Sequence, residues 1–366
     1  MILAVLLCGT VLSGCLHVGR SEQDTDTAET SAAEETTEET TEEETTEEET
    51  TEEETTAEEI VTTESETFPE PEENSDSYTI NNEGSVLVTN HRAVMIWGGS
   101  YNAVDAYCEA MNLYAQLMPG IRVYSMDIPT SYEYYLPASY PAGASQSAQA
   151  QYMRERFAGV TDVNVFEVLR AHRNEPIYLR TDHHWAPLGA YYAAGVFADC
   201  AGVPYALLSS YEKIDCEGYI GSMPVWFNTP DITAYPEVFT YYKPNASYQT
   251  TYYNRAMGGG YEGSLFFDYL GGNYCVFLGT DDQIAHIHTS VGNGRRLCVL
   301  KDSFGNAMIP FLVGSFEDIW VVDYRYFELN LLYFLQEQNV TDLLVATCAY
   351  VCCGGSAWSF RPLIGY

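Results

Sequence analysis

The stretch VLKDSFGN (residues 299–306) carries the chain from an apolar run through a sharp turn into a helix. The apolar run predicts a strand over Arg296–Leu300, and the polar turn predicts a helix over Ser303–Leu312. A serine in this place holds its hydroxyl over the sheet edge beside the helix N-terminus, where backbone N–H groups favour an oxyanion. Ser303 is therefore a candidate nucleophile, although a lysine two residues earlier excludes a G-x-S-x-G elbow. The alternative is that Asp302 or Ser303 only caps the helix.

A second polar turn, RTDHHW (residues 180–185), also lies between a predicted strand, Ile177–Arg180, and a predicted helix, Trp185–Cys200. Asp182 and His184 are two residues apart, so both side chains can point to one side of such a loop. A carboxylate and an imidazole together supply the base of a nucleophilic site and the group that orients it. The alternative is that Asp182 caps the following helix while the histidines pack locally.

Strands and helices alternate through the rest of the folded region. Further strands are predicted over His91–Trp97, Ile121–Ile128, Tyr274–Leu278, Asp318–Val322 and Asp342–Thr347, and further helices over Tyr101–Leu117, Ser145–Phe157, Asn164–His172 and Glu328–Gln338. This alternation predicts an α/β fold with a mostly parallel sheet flanked by helices. Residues 210–266, rich in Tyr, Thr, Gly and Pro, are predicted to form a small inserted region. Both polar turns follow strands, which is where α/β active sites form, so Ser303, His184 and Asp182 are predicted to act together.

Charge is distributed unevenly along the 366 residues, whose formal net charge is −36. Residues 21–76 hold 25 of the 52 acidic residues, and residues 77–366 contain 27 acidic and 15 basic residues. Nucleic-acid binding is driven by Lys and Arg on phosphate, so this balance disfavours it. The 30 Tyr and 5 Trp residues could stack on sugars, or could be core and edge-strand residues.

The chain begins with an apolar run, residues 1–15, that is too short to span a membrane and is typical of a secretory signal. Its end, Leu12–Cys15, resembles a bacterial lipobox, in which the cysteine is lipidated and becomes the mature N-terminus. Cys15 is thus the predicted lipidation site. This places the protein on the extracellular face of the bacterial cell membrane, anchored by lipid. An uncleaved anchor and plain secretion are the alternatives.

Residues 16–77 form a predicted disordered stalk rich in Thr and Glu, with T-E-E-E-T repeated three times over residues 41–55. Such a composition cannot bury enough apolar surface to offset chain entropy. The folded domain is therefore predicted to cover residues 78–366, which is long enough for a sizeable core.

The literal D-H-H-W at residues 182–185, within 176–195, resembles the signature of the DHHW protein family. Supporting likenesses lie at residues 128–130, 269–273 and 301–306. That family is similar to the periplasmic alginate O-acetylation proteins and, more distantly, to SGNH hydrolases. The resemblance implies an SGNH-hydrolase-like fold.

Carried over residue by residue, the resemblance aligns Asp182, His184 and Trp185 with the D-x-H-W pattern of the alginate proteins. Their G-D-S nucleophile turn falls on Asp302 and Ser303, with a lysine in place of the glycine. SGNH enzymes generally space the first pair D-x-x-H, so the spacing here departs from theirs. The order, with Asp and His before Ser, is that of the alginate branch.

The activity implied is acyl transfer through a Ser-His-Asp triad and an acyl-enzyme. The expected reaction is O-acetylation, or deacetylation, of an extracellular polysaccharide or other glycan. By analogy with the alginate branch, a membrane-bound O-acyltransferase is the expected partner, and no cofactor is implied. The alternative is a non-catalytic glycan-binding or assembly protein on the same fold.

The remaining site residues are less defined by the sequence. The oxyanion donors are expected to be the Ser303 backbone N–H with Gly272 and Asn273, although those two could form an ordinary turn. Trp185 and Arg325 are candidate substrate contacts, and a structural ion pair is the alternative for Arg325. No metal is expected at the adjacent histidines, because neighbouring side chains usually diverge and no further ligand cluster follows.

Overall fold

The computed structural model of the protein describes residues 76–141, 143–270 and 272–366. The predicted signal peptide with Cys15, and the predicted stalk as far as residue 75, lie outside the described residues. The last two residues assigned to the stalk contact the folded domain. The Ser139 hydroxyl donates to the Asp76 carbonyl, and the Thr89 hydroxyl donates to the Ser77 carbonyl at 2.9 Å.

Thirteen strands form three sheets in the described residues. They are β1 (Thr79–Ile80), β2 (Val86–Thr89), β3 (Arg92–Met95), β4 (Arg122–Ile128), β5 (Val160–Asp162), β6 (Glu212–Tyr219), β7 (Glu237–Lys243), β8 (Tyr248–Tyr253), β9 (Tyr261–Gly263), β10 (Ile284–Thr289), β11 (Arg296–Lys301), β12 (Asp318–Asp323) and β13 (Asp342–Cys348). The central sheet has the order β5-β4-β13-β11-β12-β10-β8-β9, β1 to β3 form a small antiparallel sheet, and β6 pairs with β7.

The central sheet is mixed. Strands β5, β4, β13, β11 and β12 run parallel, whereas β10, β8 and β9 pair antiparallel at one edge. The prediction of a mostly parallel sheet is corrected accordingly. The parallel strands β12 and β13 are buried along their whole length, as expected where helices cover both faces, and their continuous apolar runs are what made them visible in the sequence.

Ten α-helices complete the described part of the fold. They are α1 (Tyr101–Leu117), α2 (Tyr132–Tyr135), α3 (Gln146–Arg154), α4 (Phe166–Ala171), α5 (Pro187–Ala201), α6 (Pro230–Thr233), α7 (Ser303–Asn306), α8 (Ile309–Leu312), α9 (Leu331–Glu337) and α10 (Ala349–Cys352). None of these described helices combines the length and the apolar character needed to cross a bilayer. Short 3₁₀ turns lie at Leu208–Ser210, Met223–Val225, Asp268–Leu270, Tyr274–Val276, Gly355–Ser359 and Arg361–Ile364.

Helices α1 and α5 lie on opposite faces of the sheet. The ring of Tyr124 on β4 meets Phe197 of α5 with centroids 5.3 Å apart. The next residue, Ser125, hydrogen bonds to Tyr107 of α1 at 2.8 Å. Because successive side chains of a strand point to opposite faces, these contacts place the sheet between the two helices.

Three predicted elements differ in the structure. Tyr274–Leu278, expected as a strand, is a 3₁₀ turn followed by a single bridge at Phe277. Ile177–Arg180 is not a strand either, and makes only one bridge, between Tyr178 and Trp185. The helix expected over Ser303–Leu312 divides into α7 and α8, with Pro310 in the first turn of α8, where the missing N–H of proline costs no helical hydrogen bond.

The Tyr-rich region is only partly an insertion. Strands β6 and β7 form a separate antiparallel pair, but β8 and β9 extend the central sheet. Most tyrosines on these strands face inward, as for Tyr219, Tyr241 and Tyr252. This agrees with the interpretation of these residues as core and edge-strand side chains.

A buried carboxylate links three neighbouring strands at the amino ends of the parallel strands, which is the end opposite to the Ser303 turn. Asp342, at the start of β13, accepts hydrogen bonds from Arg122 at 2.7 and 2.9 Å and from Arg295 at 2.6 and 2.8 Å. Burial alone would raise the pKa of the Asp342 carboxyl, but the hydrogen bonds from Arg122, Arg295 and Thr341 lower it to about 2.

We expect Asp342→Asn to lower the free energy of unfolding at pH 7 by about 2–4 kcal/mol, because two guanidinium groups lose a buried partner. The folded-state pKa lies below the ordinary value of about 3.9, so this stabilisation is complete above about pH 4 and is lost as the pH falls towards 2. Urea titrations at pH 7 and pH 3 measure both effects. Asp199→Asn, at an exposed position, is the control, and equal stability of the Asp342 variant and the wild type at pH 7 would contradict the expectation.

Candidate active site

The structure brings Ser303, His184 and Asp182 together at the carboxyl ends of the parallel strands. The Oγ of Ser303 lies 2.8 Å from Nε2 of His184, and Nδ1 of His184 lies 2.7 Å from Oδ1 of Asp182. All three residues are buried. A hydroxyl, an imidazole and a carboxylate joined in this order can move a proton from the hydroxyl to the ring while the carboxylate holds the ring in place.

The carboxylate of Asp182 accepts four hydrogen bonds. Oδ1 accepts from the His184 ring and from the His184 backbone N–H at 3.0 Å. Oδ2 accepts from the Tyr219 hydroxyl at 2.7 Å and from the Ser222 backbone N–H at 3.0 Å. Burial would raise the pKa of Asp182, but the charge and hydrogen bond of His184, together with His183 and Tyr219, hold it well below its ordinary value. Asp182 is therefore ionised across the physiological pH range.

The turn that carries Ser303 is fixed by the preceding aspartate. Asp302 caps α7 by accepting from the Phe304 backbone N–H at 2.9 Å. Its other oxygen accepts from the Cys348 backbone N–H, also at 2.9 Å. Burial raises the pKa of Asp302. The capping alternative is thus correct for Asp302, and the same hydrogen bonds leave the Ser303 side chain to face His184.

A buried ion-pair network lies beside this turn and accounts for the lysine that replaces the expected glycine. The Lys301 ammonium contacts Asp281 at 2.8 Å and Asp323 at 3.0 Å. Arg325 contacts the same two carboxylates at 2.9 and 2.7 Å. Two positive and two negative charges balance each other here, so the structure places Arg325 in an ion-pair network with a largely buried side chain.

Gly305 fits this arrangement because a side chain there would collide with the lysine. A Cβ at position 305 would lie 2.6 Å from Cβ of Lys301, which is closer than packed carbon atoms approach. The K-D-S-F-G order of the motif is therefore a set of mutually dependent positions. Lysine binds the carboxylates, aspartate caps the helix, and glycine leaves room for the lysine stem.

Trp185 lies behind the site. Its side chain is fully buried, and its Nε1 donates to the Phe304 carbonyl at 2.8 Å. The expectation that Trp185 contacts substrate is corrected, because no part of its ring reaches the surface. Its role is to hold the turn after Ser303.

The ring of Tyr274 stacks on His184, with centroids 3.8 Å apart and planes 5° from parallel. The Tyr274 hydroxyl also donates to the Phe304 carbonyl, at 3.1 Å.

Gly272 and Asn273 reach the site through their neighbour Tyr274. Asn273 caps the following 3₁₀ turn by accepting from the Cys275 backbone N–H at 2.8 Å. Gly272 has a left-handed φ of 65°, and a Cβ there would lie 2.6 Å from Cys216. These contacts correspond to the ordinary-turn alternative, while the Ser303 amide stands at the start of α7, where N–H groups have no intrahelical acceptor.

The side chains of His183 and His184 do not diverge, which differs from the expectation for adjacent residues. Their ring centroids are 3.7 Å apart, and ligand atoms of Asp182, His183 and His184 lie within 4.8 Å of one another. Most of these atoms are already engaged, since Asp182 accepts four hydrogen bonds and both ring nitrogens of His184 have partners.

Elsewhere, His286 and His288 on β10 both contact Asp318, at 2.8 and 2.9 Å, as expected for a polar strand face.

Several residues that hold the site were not identified from the sequence. Glu237 of β7 accepts from the backbone N–H groups of Arg180 and Thr181 and from the Thr181 hydroxyl. A Cβ at Gly221 would lie 2.4 Å from Cβ of Asp182, so glycine is required for the β6–β7 connection to approach the carboxylate. No sequence signal near these residues points to the D-H-H-W loop, which Thr181 adjoins 40 positions before Gly221 and 56 positions before Glu237.

A small cavity lies against His183 and Phe304, the chain neighbours of His184 and Ser303. It offers about 10 Å³ to the centre of a water-sized group, which is room for one such group. Its lining comprises Met95, Thr130, Ser131, His183, Phe304, Cys348 and Tyr350. The exposed wall is mostly apolar, and two of its residues, His183 and Phe304, are next to His184 and Ser303 in the chain.

Comparison with known proteins agrees with the fold. A DHHW family protein from Eubacterium siraeum, known from a crystal structure, is 34% identical, with 78% of this chain and 97% of that chain covered and a TM-score of 0.73. Bacillus cereus PatB1, solved with a sulfonyl adduct, is 18% identical, with 75% and 98% covered and a TM-score of 0.65. The O-acetyltransferase domain of Pseudomonas putida AlgJ is a weaker likeness, at 12% identity, 75% and 91% coverage and a TM-score of 0.42. None of the curated proteins matches the chain.

The family match itself covers residues 21–322 and is described as DHHW protein. It includes both turns that form the site, and the resemblance predicted from D-H-H-W is confirmed. The chain belongs to the DHHW family.

Proposed function

We propose that the protein is an acyl-transferring enzyme in which Ser303 is the nucleophile, His184 the general base and acid, and Asp182 the orienting carboxylate. The observation that carries this proposal is the continuous hydrogen-bonded chain from Ser303 Oγ through His184 to Asp182, with separations of 2.8 and 2.7 Å. Such spacing is what proton transfer from a nucleophile to its base requires.

In the proposed reaction, Ser303 Oγ attacks the carbonyl carbon of an ester while its proton passes to Nε2 of His184. The tetrahedral intermediate collapses as the leaving alcohol takes that proton from His184, which leaves an acyl group on Ser303. An acceptor hydroxyl then gives its proton to His184 and attacks the acyl carbonyl. Ser303 regains its proton, and the acyl group has moved to the acceptor.

We further propose an acetyl group as the acyl unit and a hydroxyl of an extracellular glycan as the acceptor or, in the hydrolytic direction, as the ester. The small cavity beside the reacting pair supports a short acyl chain, and family resemblance supports the glycan. Lipid anchoring at Cys15, the extracellular face of the membrane and a membrane-bound O-acyltransferase partner belong to the same proposal and rest on sequence alone.

We expect Ser303→Ala to lower p-nitrophenyl acetate hydrolysis by about 10³-fold or more, because the attacking oxygen is removed. Release of p-nitrophenolate measures the rate. Sulfonyl fluorides suit a parallel test, since the structural neighbour PatB1 carries a sulfonyl adduct, and intact-mass measurement should show one adduct on the wild type and none on the variant.

The matched control is Ser209→Ala, at an exposed serine outside the site, which should keep the wild-type rate and the adduct. Full hydrolysis by the Ser303 variant would remove the enzyme proposal. It would favour the alternative of a glycan-binding or assembly protein.

We expect Asp182→Asn to lower the same rate by about 10²–10⁴-fold, because an amide cannot hold the His184 proton on Nδ1 or stabilise the imidazolium. The low pKa of Asp182 keeps it ionised as the acidity increases, so the decline of wild-type activity at low pH should not follow titration of this carboxyl. A pH–rate profile from pH 4 to 9 tests this. Asp231→Asn, exposed on the surface, is the control, and an Asp182 variant as active as this control would contradict the assigned role.

We expect hydrolysis to fall by about 10-fold or more from p-nitrophenyl acetate to the butyrate, because the cavity has no room for two further methylenes. Met95→Ala enlarges the cavity and should reduce the difference in rate between the acetate and the butyrate. Steady-state kcat/KM for the two esters in both proteins provides the measurement. Equal rates with both esters in the wild type would show that the acyl chain lies elsewhere.

A further inference from the structure

The first histidine of the D-H-H-W motif has a buried nitrogen that the proposed reaction does not use. His183 is only 7% exposed and lines the cavity beside the reacting pair. Its Nδ1 contacts the Ser222 hydroxyl at 2.6 Å. Its Nε2 is buried and has no hydrogen-bond partner among the residues that the structure describes. A buried polar atom without a partner costs free energy, so its position calls for a ligand.

The hydrogen bonds around Asp182 bear on which nitrogen of His183 carries the proton. Nδ1 of His183 also lies 3.3 Å from Oδ1 of Asp182. The two oxygens of that carboxylate already accept four hydrogen bonds, so their acceptor capacity is filled. This arrangement favours the tautomer in which the Ser222 hydroxyl donates to Nδ1 and the proton of the neutral imidazole lies on Nε2. His183 thus presents an N–H donor to the cavity.

Thr130, a second polar residue of the cavity wall, already makes two hydrogen bonds. The Thr130 backbone N–H donates to Gln146 at 2.9 Å, and its hydroxyl accepts from the same side chain at 2.8 Å. Phe304 lies across from His183, with ring centroids 6.2 Å apart. The imidazole is held between this ring, His184 and Trp226, so Nε2 is a rigid donor on a mostly apolar wall.

We propose that His183 binds the acyl carbonyl oxygen, donating a hydrogen bond from Nε2 and stabilising the negative charge that forms when Ser303 attacks. This inference rests on the proposed function and adds an electrophilic group to it. A preorganised neutral donor in a site without bulk water is effective because it needs no reorientation during the reaction. The ligand class is therefore a carbonyl ester with a short acyl chain.

The electrostatics of His183 are consistent with a donor and not with a second base. Burial, together with the charge of His184, lowers the pKa of His183 to about 3. The ring is therefore neutral across the working pH range and does not compete with His184 for the Ser303 proton. Removing it should change the rate without moving the pH profile.

Two substitutions at His183 distinguish the role of the Nε2 donor in the cavity from that of the contact between Nδ1 and Ser222. Asparagine can place its amide near Nδ1 and leaves the cavity without a donor, whereas glutamine can place an N–H near Nε2. We expect His183→Asn to slow acylation by p-nitrophenyl acetate by about 10- to 100-fold, and His183→Gln to recover most of that loss. Both variants should keep the pH dependence of the wild type and its thermal unfolding temperature.

Wild-type acylation rates in His183→Asn would overturn the inference, and so would equal losses in two correctly folded variants, because packing alone would then explain them. If the substitutions prevent folding, Ser222→Ala provides the test. It keeps the backbone N–H that binds Asp182 but lets the His183 proton move to Nδ1, so the rate should fall by about 3- to 10-fold. A wild-type rate in that variant would count against the donor role.

Ser303→Ala in the same assay distinguishes this inference from the proposed function. A wild-type rate in the Ser303 variant would exclude the proposed function. A rate lost in the Ser303 variant but kept in His183→Asn removes only the carbonyl contact.

Discussion

The carboxylate of Asp182 is the group around which the site is organised. A buried carboxylate would be costly by itself, and four donor groups from three residues make it stable in the ionised form. The same four hydrogen bonds fix the His184 ring, position the β6–β7 connection and leave His183 no further acceptor on this carboxylate. One electrostatic requirement thus determines the geometry of three neighbouring groups.

A second cluster of charges supports the nucleophile turn. This set is electrically neutral and lies at the carboxyl ends of β11 and β12; it consists of Lys301, Arg325, Asp281 and Asp323. Asn306 of α7 also donates to Asp281, at 2.9 Å. Removing one member of such a set leaves an uncompensated charge, at a cost of about 3–5 kcal/mol. The turn is therefore rigid for reasons that are separate from the reaction, and Arg325 contributes to that rigidity.

The sequence predicted the parts of the site that depend on local patterns. The apolar runs of β11 and β13 and the polar turns after position 180 and position 301 are short-range signals, and they located Ser303, His184 and Asp182 correctly as neighbours. The antiparallel edge was not predicted, since strand direction depends on distant pairing. Trp185 was expected to contact substrate because the sequence does not show whether a tryptophan beside such a motif faces solvent or the core. Tyr219, Ser222 and Glu237 were missed because their contacts with the motif loop exist only after folding.

The reacting hydroxyl and imidazole are separated by 119 positions in the chain. Between them lie the β6–β7 pair, the antiparallel edge strands and strand β11. No fragment ending before residue 303 contains the serine, and no chain with an unformed sheet brings it to the ring. The contact between Ser303 and His184 is thereby a property of the folded chain alone. A polypeptide that lacks this contact would lack the proposed activity, so turnover in that reaction would report the fraction of folded molecules in a preparation.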